Sequence, residues 1–234
     1  MIKFSIIIPV YNEEKNIEKL VNEIYINLKK YKNQFEVIVV NDGSLDKSFT
    51  ILQNLSIKYQ NFHFYSNHSN FGQSFSICEG IKRSNSDVIV TLDGDGQNNP
   101  ADIGKLIDLF DKDEKLYLVG GIRTKRKDNW IKILSSRFAN FVRKLILNDR
   151  CDDTGCSLKV FYKKTFLEFP FFDGLHRFLP ALFAGYGKKT LFVSVDHRTR
   201  VYGNSKYGTL DRLYKGVRDL IKVKKIINKI KNSD

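Results

Sequence analysis

The sequence predicts an α/β protein with a mostly parallel, twisted sheet and helices on both of its faces. Over the first half of the chain, short strands rich in β-branched residues alternate with amphipathic helices. Such alternation is typical of parallel sheets with right-handed crossovers. Polar clusters also follow three of the strands directly, at the edge where open α/β sheets bind their ligands. The two observations together predict a ligand site at the carboxyl edge of the sheet.

Apolar periodicity assigns the elements in chain order. The first predicted strand runs from Lys3 to Ile8 and is ended by Pro9, because proline has no backbone N–H to donate. The first predicted helix spans residues 13–30. The later predicted strands are 35–40, 62–66, 88–92, 116–119, 158–162 and 191–195. The later predicted helices are 46–58, 73–83, 100–110, 130–147, 176–184 and 210–230.

An acidic loop, Asp93-Gly-Asp95-Gly-Gln97, follows the predicted strand 88–92. Its two carboxylates are alternate residues, and the intervening glycine lets the backbone bend so that both can converge. Carboxylate and amide oxygens form a hard donor set that suits Mg²⁺ or Mn²⁺ and suits zinc poorly. The alternative is a solvated turn, since Asp, Gly and Asn are also common in loops.

Two further polar clusters follow the first and second predicted strands, around Pro9, Tyr11 and Glu13 and around Asp42. In a parallel sheet these clusters would lie beside the acidic loop. Tyr11 can stack on a base, Glu13 and Asp42 can accept hydrogen bonds from base or ribose, and a metal can neutralise a diphosphate. Each cluster alone would be an ordinary loop. Together with Asp93 they predict a nucleotide-binding site.

The net charge of +13 is concentrated in two segments. Residues 121–150 contain nine Lys or Arg against two Asp or Glu, and residues 201–234 contain nine against three. Such blocks indicate a local anionic partner, either phosphate, anionic lipid or nucleic acid, and solvated lysines are the alternative. We expect no nucleic-acid partner, because the basic residues are not interleaved with a recognised nucleic-acid motif.

Three cysteines without CxxC spacing indicate neither a disulfide framework nor a zinc knuckle, and they are compatible with a reducing cytosol. His176 and His197 lack partners at metal-ligand spacing, so we expect structural hydrogen bonds from both. The N-terminal apolar run is too short for a secretory signal, and no run approaches the roughly 20 residues of a membrane span. Any membrane contact is therefore expected to be peripheral or through a partner.

The same motifs resemble those of the inverting family 2 glycosyltransferases, whose GT-A fold binds a nucleotide sugar and a divalent cation. Downstream motifs narrow the resemblance to the polyprenyl-phosphate branch, which includes dolichyl-phosphate mannosyltransferases, and it extends from about residue 4 to 225. The motifs that carry it are Pro9-Val-Tyr11-Asn-Glu13, Asn41-Asp42-Gly-Ser44, Asn70-Phe-Gly72, Asp93-Gly-Asp95-Gly-Gln97, Asp153-Thr-Gly155-Cys-Ser, His176-Arg-Phe-Leu-Pro180 and the stretch from His197 to Tyr207.

The resemblance implies an inverting hexosyltransferase that moves one sugar from a nucleotide diphosphate sugar to a polyprenyl phosphate. It implies that Asp42 binds the nucleoside, that Asp95 and Gln97 hold Mg²⁺ or Mn²⁺, and that Asp153 occupies the position proposed for the catalytic base. Arg123 follows the fifth predicted strand, and we expect it to contact phosphate as a second catalytic residue, because a guanidinium can bind two phosphate oxygens at once.

Three alternatives stay open on the sequence. A related transferase that adds a sugar to a saccharide or a protein would carry the same nucleotide clusters. A nucleic-acid-binding protein would account for the charge. A non-catalytic nucleotide-sugar sensor would bind donor and metal without turnover.

The chain is expected to comprise a GT-A domain at residues 1–208 and a basic amphipathic tail at 209–234. Within the domain, four residues are predicted to contact the acceptor or the donor phosphates on a loop that orders with substrate, namely Arg198, Arg200, Ser205 and Lys206. The tail is typical of a helix that lies on an anionic membrane, with packing against the core as the alternative. The predicted location is therefore cytoplasmic, peripheral to the membrane, reached by the tail or through a small membrane-protein partner.

Overall fold

The structure is a computed structural model that describes residues 1–124, 142–199 and 209–231, without the side chains of 209–215, 217 and 231. The described residues form a seven-stranded sheet in the order β3-β2-β1-β4-β6-β5-β7. The strands are β1 (Phe4–Val10), β2 (Phe35–Asn41), β3 (Phe62–Ser66), β4 (Val88–Thr91), β5 (Leu116–Arg123), β6 (Lys159–Tyr162) and β7 (Lys189–Val195). The predicted, mostly parallel sheet is confirmed, and β6 runs antiparallel to both of its neighbours.

Helices cover both faces of this sheet, as predicted. The described helices are α1 (Ile17–Asn27), α2 (Ser48–Lys58), α3 (Gln73–Arg83), α4 (Ala101–Lys112), α5 (142–147), α6 (Lys163–Leu167), α7 (Leu179–Gly185) and α8 (Thr209–Lys231), with 3₁₀ turns at Lys29–Tyr31 and Leu175–Arg177. Of the predicted helix 130–147, residues 130–141 lie outside the described part of the chain. The predicted helix 176–184 divides at Phe178 into a 3₁₀ turn and α7.

The strand β1 shows how the two cores are divided, because successive side chains of a strand point to opposite faces. Ile6 and Ile8 are fully buried in the cluster shared with α1 and α4. Ile7 is fully buried in the other cluster, which α3, α7 and α8 complete. A central strand buried on both faces explains why its sequence is continuously apolar.

The prediction that Pro9 ends the first strand is wrong, since β1 continues to Val10 and Pro9 is paired with Val40 of β2. In a parallel ladder, alternate residues direct their backbone groups to opposite neighbours. The carbonyl of Val10 accepts from Asp42 on the β2 side, so the nitrogen of Pro9 faces the β4 side. Pairing with β4 stops at Ile7, and the missing N–H of Pro9 therefore costs no hydrogen bond in the ladder.

The first helix begins at Ile17 and not at residue 13 as predicted. Residues before it serve the loop after β1 instead. Asn12 has a φ of 56°, and the backbone N–H of Glu13 donates to Ser48 Oγ over 3.0 Å. Long-range contacts from the α2 segment thus replace the first helical turn that the sequence pattern favours.

The described half of α8 packs against the body of the protein. Leu220, Val223 and Ile227 are 8%, 0% and 4% exposed and belong to the same apolar cluster as α7. Core packing, the alternative for the tail, therefore describes these three residues, whereas Ile221 of the same helix is 54% exposed. Contact of the tail with a membrane stays a prediction. The proposed boundary at residue 208 stays a prediction. No helix in the described parts of the chain is both long and apolar enough to cross a bilayer.

Candidate active site

The loops that follow β1 and β2 are joined by reciprocal hydrogen bonds at the carboxyl edge of the sheet. The backbone N–H of Asn12 donates to Ser44 Oγ over 2.9 Å, and the N–H of Leu45 donates to Asn12 Oδ1 over 2.7 Å. Because β1 and β2 are adjacent parallel strands, their polar clusters lie side by side as predicted. This edge carries four of the predicted nucleotide-binding residues, namely Pro9, Tyr11, Glu13 and Asp42.

Asp42 is a buried residue that anchors a neighbouring loop of the candidate site. Its carboxylate is 3% exposed and accepts hydrogen bonds from Asn67 Nδ2 at 2.8 Å and from the backbone N–H groups of Phe71 and Gly72 at 3.0 and 2.8 Å. A charged acceptor satisfied by backbone donors fixes a loop firmly. In this structure Asp42 thus positions the Asn70-Phe-Gly72 segment, and its contact with a nucleoside stays a prediction.

The acidic loop after β4 is held by residues distant in sequence. Gln73 Nε2 donates to Asp93 Oδ1 over 2.7 Å, and the backbone N–H of Asp93 donates to Ser157 Oγ over 3.1 Å. Asp95 Oδ1 accepts from the backbone N–H of Gln97 over 3.1 Å. A side chain at position 94 would meet the carbonyl oxygen of Pro9 at 3.1 Å, so Gly94 lets this loop lie close to β1.

The electrostatics of the acidic loop fit a cation. Burial, followed by repulsion from Asp95, raises the pKa of Asp93 to about 6, although Ser157, Lys159 and Arg123 act in the opposite direction. Two carboxylates this close repel each other, and a divalent ion would relieve that repulsion. Asp95 and Gln97 supply the oxygen donors that Mg²⁺ and Mn²⁺ prefer. Among the described residues no cluster of three His, Cys, Asp or Glu side chains offers a metal site made of protein alone.

Arg123 and Asp153, the two predicted catalytic residues, are bonded to each other. Arg123 Nε lies 2.6 Å from Asp153 Oδ2 and Nη2 lies 2.7 Å from Oδ1, so the guanidinium grips both carboxylate oxygens. Their side chains are only 14% and 7% exposed. A Cβ at position 155 would come within 2.6 Å of Arg123 Nη2, so a side chain there would require the guanidinium to shift. The sequence predicted both residues, but not that one would anchor the other.

Lys159 is a site residue that sequence reasoning missed. It is 3% exposed in β6, and its ammonium donates to the carbonyl oxygen of Cys156. Burial lowers its pKa, while Cys156 and Cys151, followed by the charges of Asp93 and Asp153, act in the opposite direction. The available signal was a lysine within the apolar run from Leu158 to Tyr162, since lysine is rarely buried without a partner.

The predicted phosphate and acceptor residues are only partly described. The guanidinium of Arg198 bonds Glu23 Oε2 at 2.5 Å and Asn99 Oδ1 at 2.9 Å, and its backbone N–H donates to the carbonyl of Gln97 over 2.8 Å. Arg198 therefore lies beside the acidic loop. Arg200, Ser205 and Lys206 lie outside the described residues, and their roles stay predictions.

His176 makes the structural hydrogen bond that the sequence predicts. Its Nδ1 lies 2.7 Å from Ser74 Oγ, which accepts at the same time from the backbone N–H of Gly174. Burial lowers the pKa of His176 to about 3, with the charges of Arg177 and Lys159 adding to the effect.

Comparison with known proteins places this geometry among sugar transferases. A dodecaprenyl-phosphate galacturonate synthase from Rhizobium johnstonii is 28% identical over 230 residues, which is 95% of this chain and 66% of that protein. An undecaprenyl-phosphate 4-deoxy-4-formamido-L-arabinose transferase from Yersinia pestis is 31% identical over 94% of this chain and 66% of its own length. This chain thus spans just under two thirds of the length of these relatives.

Solved structures with the same architecture include glucosyl-3-phosphoglycerate synthase from Mycobacterium tuberculosis. Its complex with Mn²⁺, UDP and glucosyl-3-phosphoglycerate has a TM-score of 0.68 at 16% identity, covering 94% of this chain and 78% of that one. At this identity the likeness establishes the fold, which confirms the predicted GT-A class. The sequence profile of the Glycosyl transferase family 2 matches residues 5–174, which is well over half of the chain. The chain therefore belongs to glycosyl transferase family 2.

Proposed function

We propose that this chain is an inverting hexosyltransferase that transfers one sugar from a nucleotide diphosphate sugar to a polyprenyl phosphate. The bond between the anomeric carbon and the donor phosphate oxygen breaks, and the nucleoside diphosphate leaves with the electron pair. A phosphate oxygen of the acceptor forms the new bond to that carbon. The observation that carries the proposal is the convergence of the acidic loop and the Arg123–Asp153 pair on one sheet edge, in a chain whose relatives are named as polyprenyl-phosphate sugar transferases.

The donor half of the site is assigned to the loops after β1, β2 and β4. Asp42 and the residues around Tyr11 would receive the nucleoside. Asp95 and Gln97 would hold Mg²⁺ or Mn²⁺, and such an ion neutralises the charge that develops on the leaving diphosphate. The structures of the mycobacterial synthase with UDP and Mn²⁺ or Mg²⁺ support the choice of cofactor.

Arg123 and Asp153 are assigned to the reacting phosphates. Arg123 lies close enough to Asp93 to lower its pKa, so its charge reaches the metal side of the site as well as Asp153. A phosphate monoester has a second pKa of about 6 and is already an anion at neutral pH. The acceptor therefore does not need Asp153 as a general base. The proposed role of Asp153 is to hold Arg123 and to orient the acceptor.

The acceptor is a lipid, so the proposal places the protein at the cytosolic face of a membrane, in contact with it directly or through a small membrane protein. Arg198, Arg200, Ser205 and Lys206 are the proposed contacts to the acceptor or the donor phosphates. Arg198 lies next to the acidic loop through its bond to Gln97, which supports a phosphate role for this segment.

The test is incubation of the protein with labelled nucleotide sugars, Mn²⁺ or Mg²⁺, and a short polyprenyl phosphate. We expect label in the organic phase that depends on both metal and acceptor. Parallel reactions with a saccharide and with a peptide acceptor test the transferases that share the same donor site. Label that appears only in those aqueous products would contradict the lipid acceptor, and metal-dependent nucleotide binding without any product would indicate a sensor.

A further inference from the structure

The strand β6 carries a lysine in a position where a strand ordinarily carries an apolar side chain. Lys159 lies opposite Thr91 of β4 and Gly120 of β5, in the middle of the sheet, and is 3% exposed. Its strand neighbours Leu158, Val160 and Phe161 are fully buried. An apolar side chain could fill this space without the desolvation penalty of a buried charge. The lysine therefore calls for an explanation beyond packing.

The surroundings of Lys159 indicate what the charge does. Its Nζ donates to the carbonyl oxygen of Cys156, within the loop that carries Asp153. The same loop is bonded to Asp93 of the acidic loop through Ser157, and its Asp153 is bonded to Arg123. Lys159 is thus a buried cation attached to the segment that connects the acidic loop with the Arg123–Asp153 pair, and the charges of Asp93 and Asp153 reach it.

The loop from Asp153 to Ser157 is bonded to the acidic loop and to the residues on either side of it. Ser157 Oγ accepts from the N–H of Asp93 and donates to Asn98 Oδ1 over 2.6 Å, and the carbonyl of Ser157 accepts from Thr91 Oγ1 over 2.7 Å. These bonds lie on the β4 side of the loop. Lys159 binds the same loop at the carbonyl oxygen of Cys156, the residue before Ser157.

We propose that Lys159 is a positioning residue that sets the distance between the donor and acceptor halves of the site. It holds the carbonyl of Cys156 and attracts both carboxylates, and so keeps Asp153, with Arg123 attached, facing the acidic loop. This role rests on the proposed function, since it concerns the same site. It does not require Lys159 to touch any substrate.

The test compares Lys159→Met, which keeps most of the length of the side chain but removes its charge and its donor, with Lys163→Met as a matched control. Lys163 follows β6 at the opposite edge of the sheet, where its Nζ bonds the carbonyl of Ser84 over 2.7 Å. We expect kcat to fall about 10- to 100-fold in Lys159→Met, because misplaced groups lose alignment, while the donor KM changes less than about threefold. Lys163→Met should keep the wild-type kcat.

A second readout needs no substrate and so separates this proposal from the proposed function. Hydrogen exchange at the amides of residues 153–157 should accelerate at least about tenfold in Lys159→Met, with exchange in β1 unchanged, because only the local opening free energy is affected. Failure of the lipid acceptor assay with wild-type protein, combined with this local change, would reject the acceptor and keep the role of Lys159.

Two results would overturn the proposal. Unchanged exchange at residues 153–157 with unchanged kcat would show that the lysine is dispensable for the loop. Faster exchange throughout the sheet, with a matching loss of thermal stability, would show that it only supports the fold.

If Lys159→Met does not fold, Lys159→Gln replaces it, since its amide can still donate to the carbonyl of Cys156. That variant is expected to keep part of the exchange protection and to lose kcat, and a wild-type kcat would reject the proposal.

Discussion

The two halves of the sheet place their functional groups by different means. In the half formed by β3, β2, β1 and β4, each site residue lies within a few positions of the strand end that presents it. In the half formed by β6, β5 and β7, Arg123 is positioned by Asp153, thirty residues later in the chain. The proposed donor half therefore takes its residues from segments next to the strand ends, although partners distant in sequence such as Ser157 also hold its loops, whereas the proposed acceptor half depends on a long-range ion pair and a buried lysine.

The largest effect is expected in the donor half. Asp95→Asn should reduce transfer at least about 100-fold, because a neutral amide replaces an anionic ligand of a hard cation. Its melting temperature should stay near that of the wild type, since Asp95 lies in a loop. Kinetics and thermal melting with and without Mn²⁺ measure both effects.

Asp87→Asn is the matched control for this change, because Asp87 immediately precedes the other end of β4 and is exposed. Near wild-type transfer by Asp95→Asn, with no stabilisation of either protein by Mn²⁺, would remove the metal from the acidic loop and with it the local character of the donor half.

The next effect concerns α8, whose buried side chains pack in the same apolar cluster as α7. Ile227→Ala should lower the free energy of unfolding by about 2–4 kcal/mol, because the side chain is 4% exposed among apolar neighbours. Ile221→Ala on the same helix should cost less than about 0.5 kcal/mol, because Ile221 is 54% exposed. Denaturant unfolding of both variants measures the difference. Equal losses would mean that the described half of α8 does not pack as the structure has it.

Arg123→Lys tests the long-range ion pair directly. The charge remains, but a lysine cannot bind both oxygens of Asp153, so we expect a loss of about 1–3 kcal/mol in transition-state stabilisation. Transfer rates at subsaturating donor and acceptor measure it. The control is Arg83→Lys, whose exposed guanidinium bonds Glu79 on α3. Identical kinetics for both variants would show that the geometry of the Arg123–Asp153 pair is not used.

The smallest effect is expected from pH. The pKa of His176 is lowered to about 3 in the folded protein, against roughly 6.5 when unfolded, so the unfolded state binds the proton more tightly. Stability should therefore be nearly unaffected above pH 6.5 and fall by up to about 1.4 kcal/mol per pH unit as the pH drops below it. Urea unfolding between pH 7 and 5 compares wild type with His176→Gln, which should lose this part of the slope. His63→Gln, at an imidazole that is 46% exposed, should keep it.

The parts of the fold that are determined by local sequence patterns could be predicted, and the parts that depend on tertiary contacts could not. Strands such as Phe62–Ser66 and helices such as Gln73–Arg83 were predicted with the bounds that the structure has, because apolar periodicity is local. Pro9 and the start of α1 were predicted wrongly, because the register with β4 and the contact with Ser48 decide them. Tertiary contacts of this kind leave no periodic signal in the chain.

By itself the sequence determined the alternation of strands and helices, the edge at which the polar clusters meet, and the residue types of the donor half. Only the tertiary structure decided that β6 runs antiparallel between β4 and β5, that Arg123 binds both carboxylate oxygens of Asp153, and that Lys159 is buried with its ammonium on the carbonyl oxygen of Cys156. The physical reason is that strand ends and helix faces are set by neighbours in sequence. An ion pair or a buried charge is set by partners that only the folded chain brings within hydrogen-bonding distance.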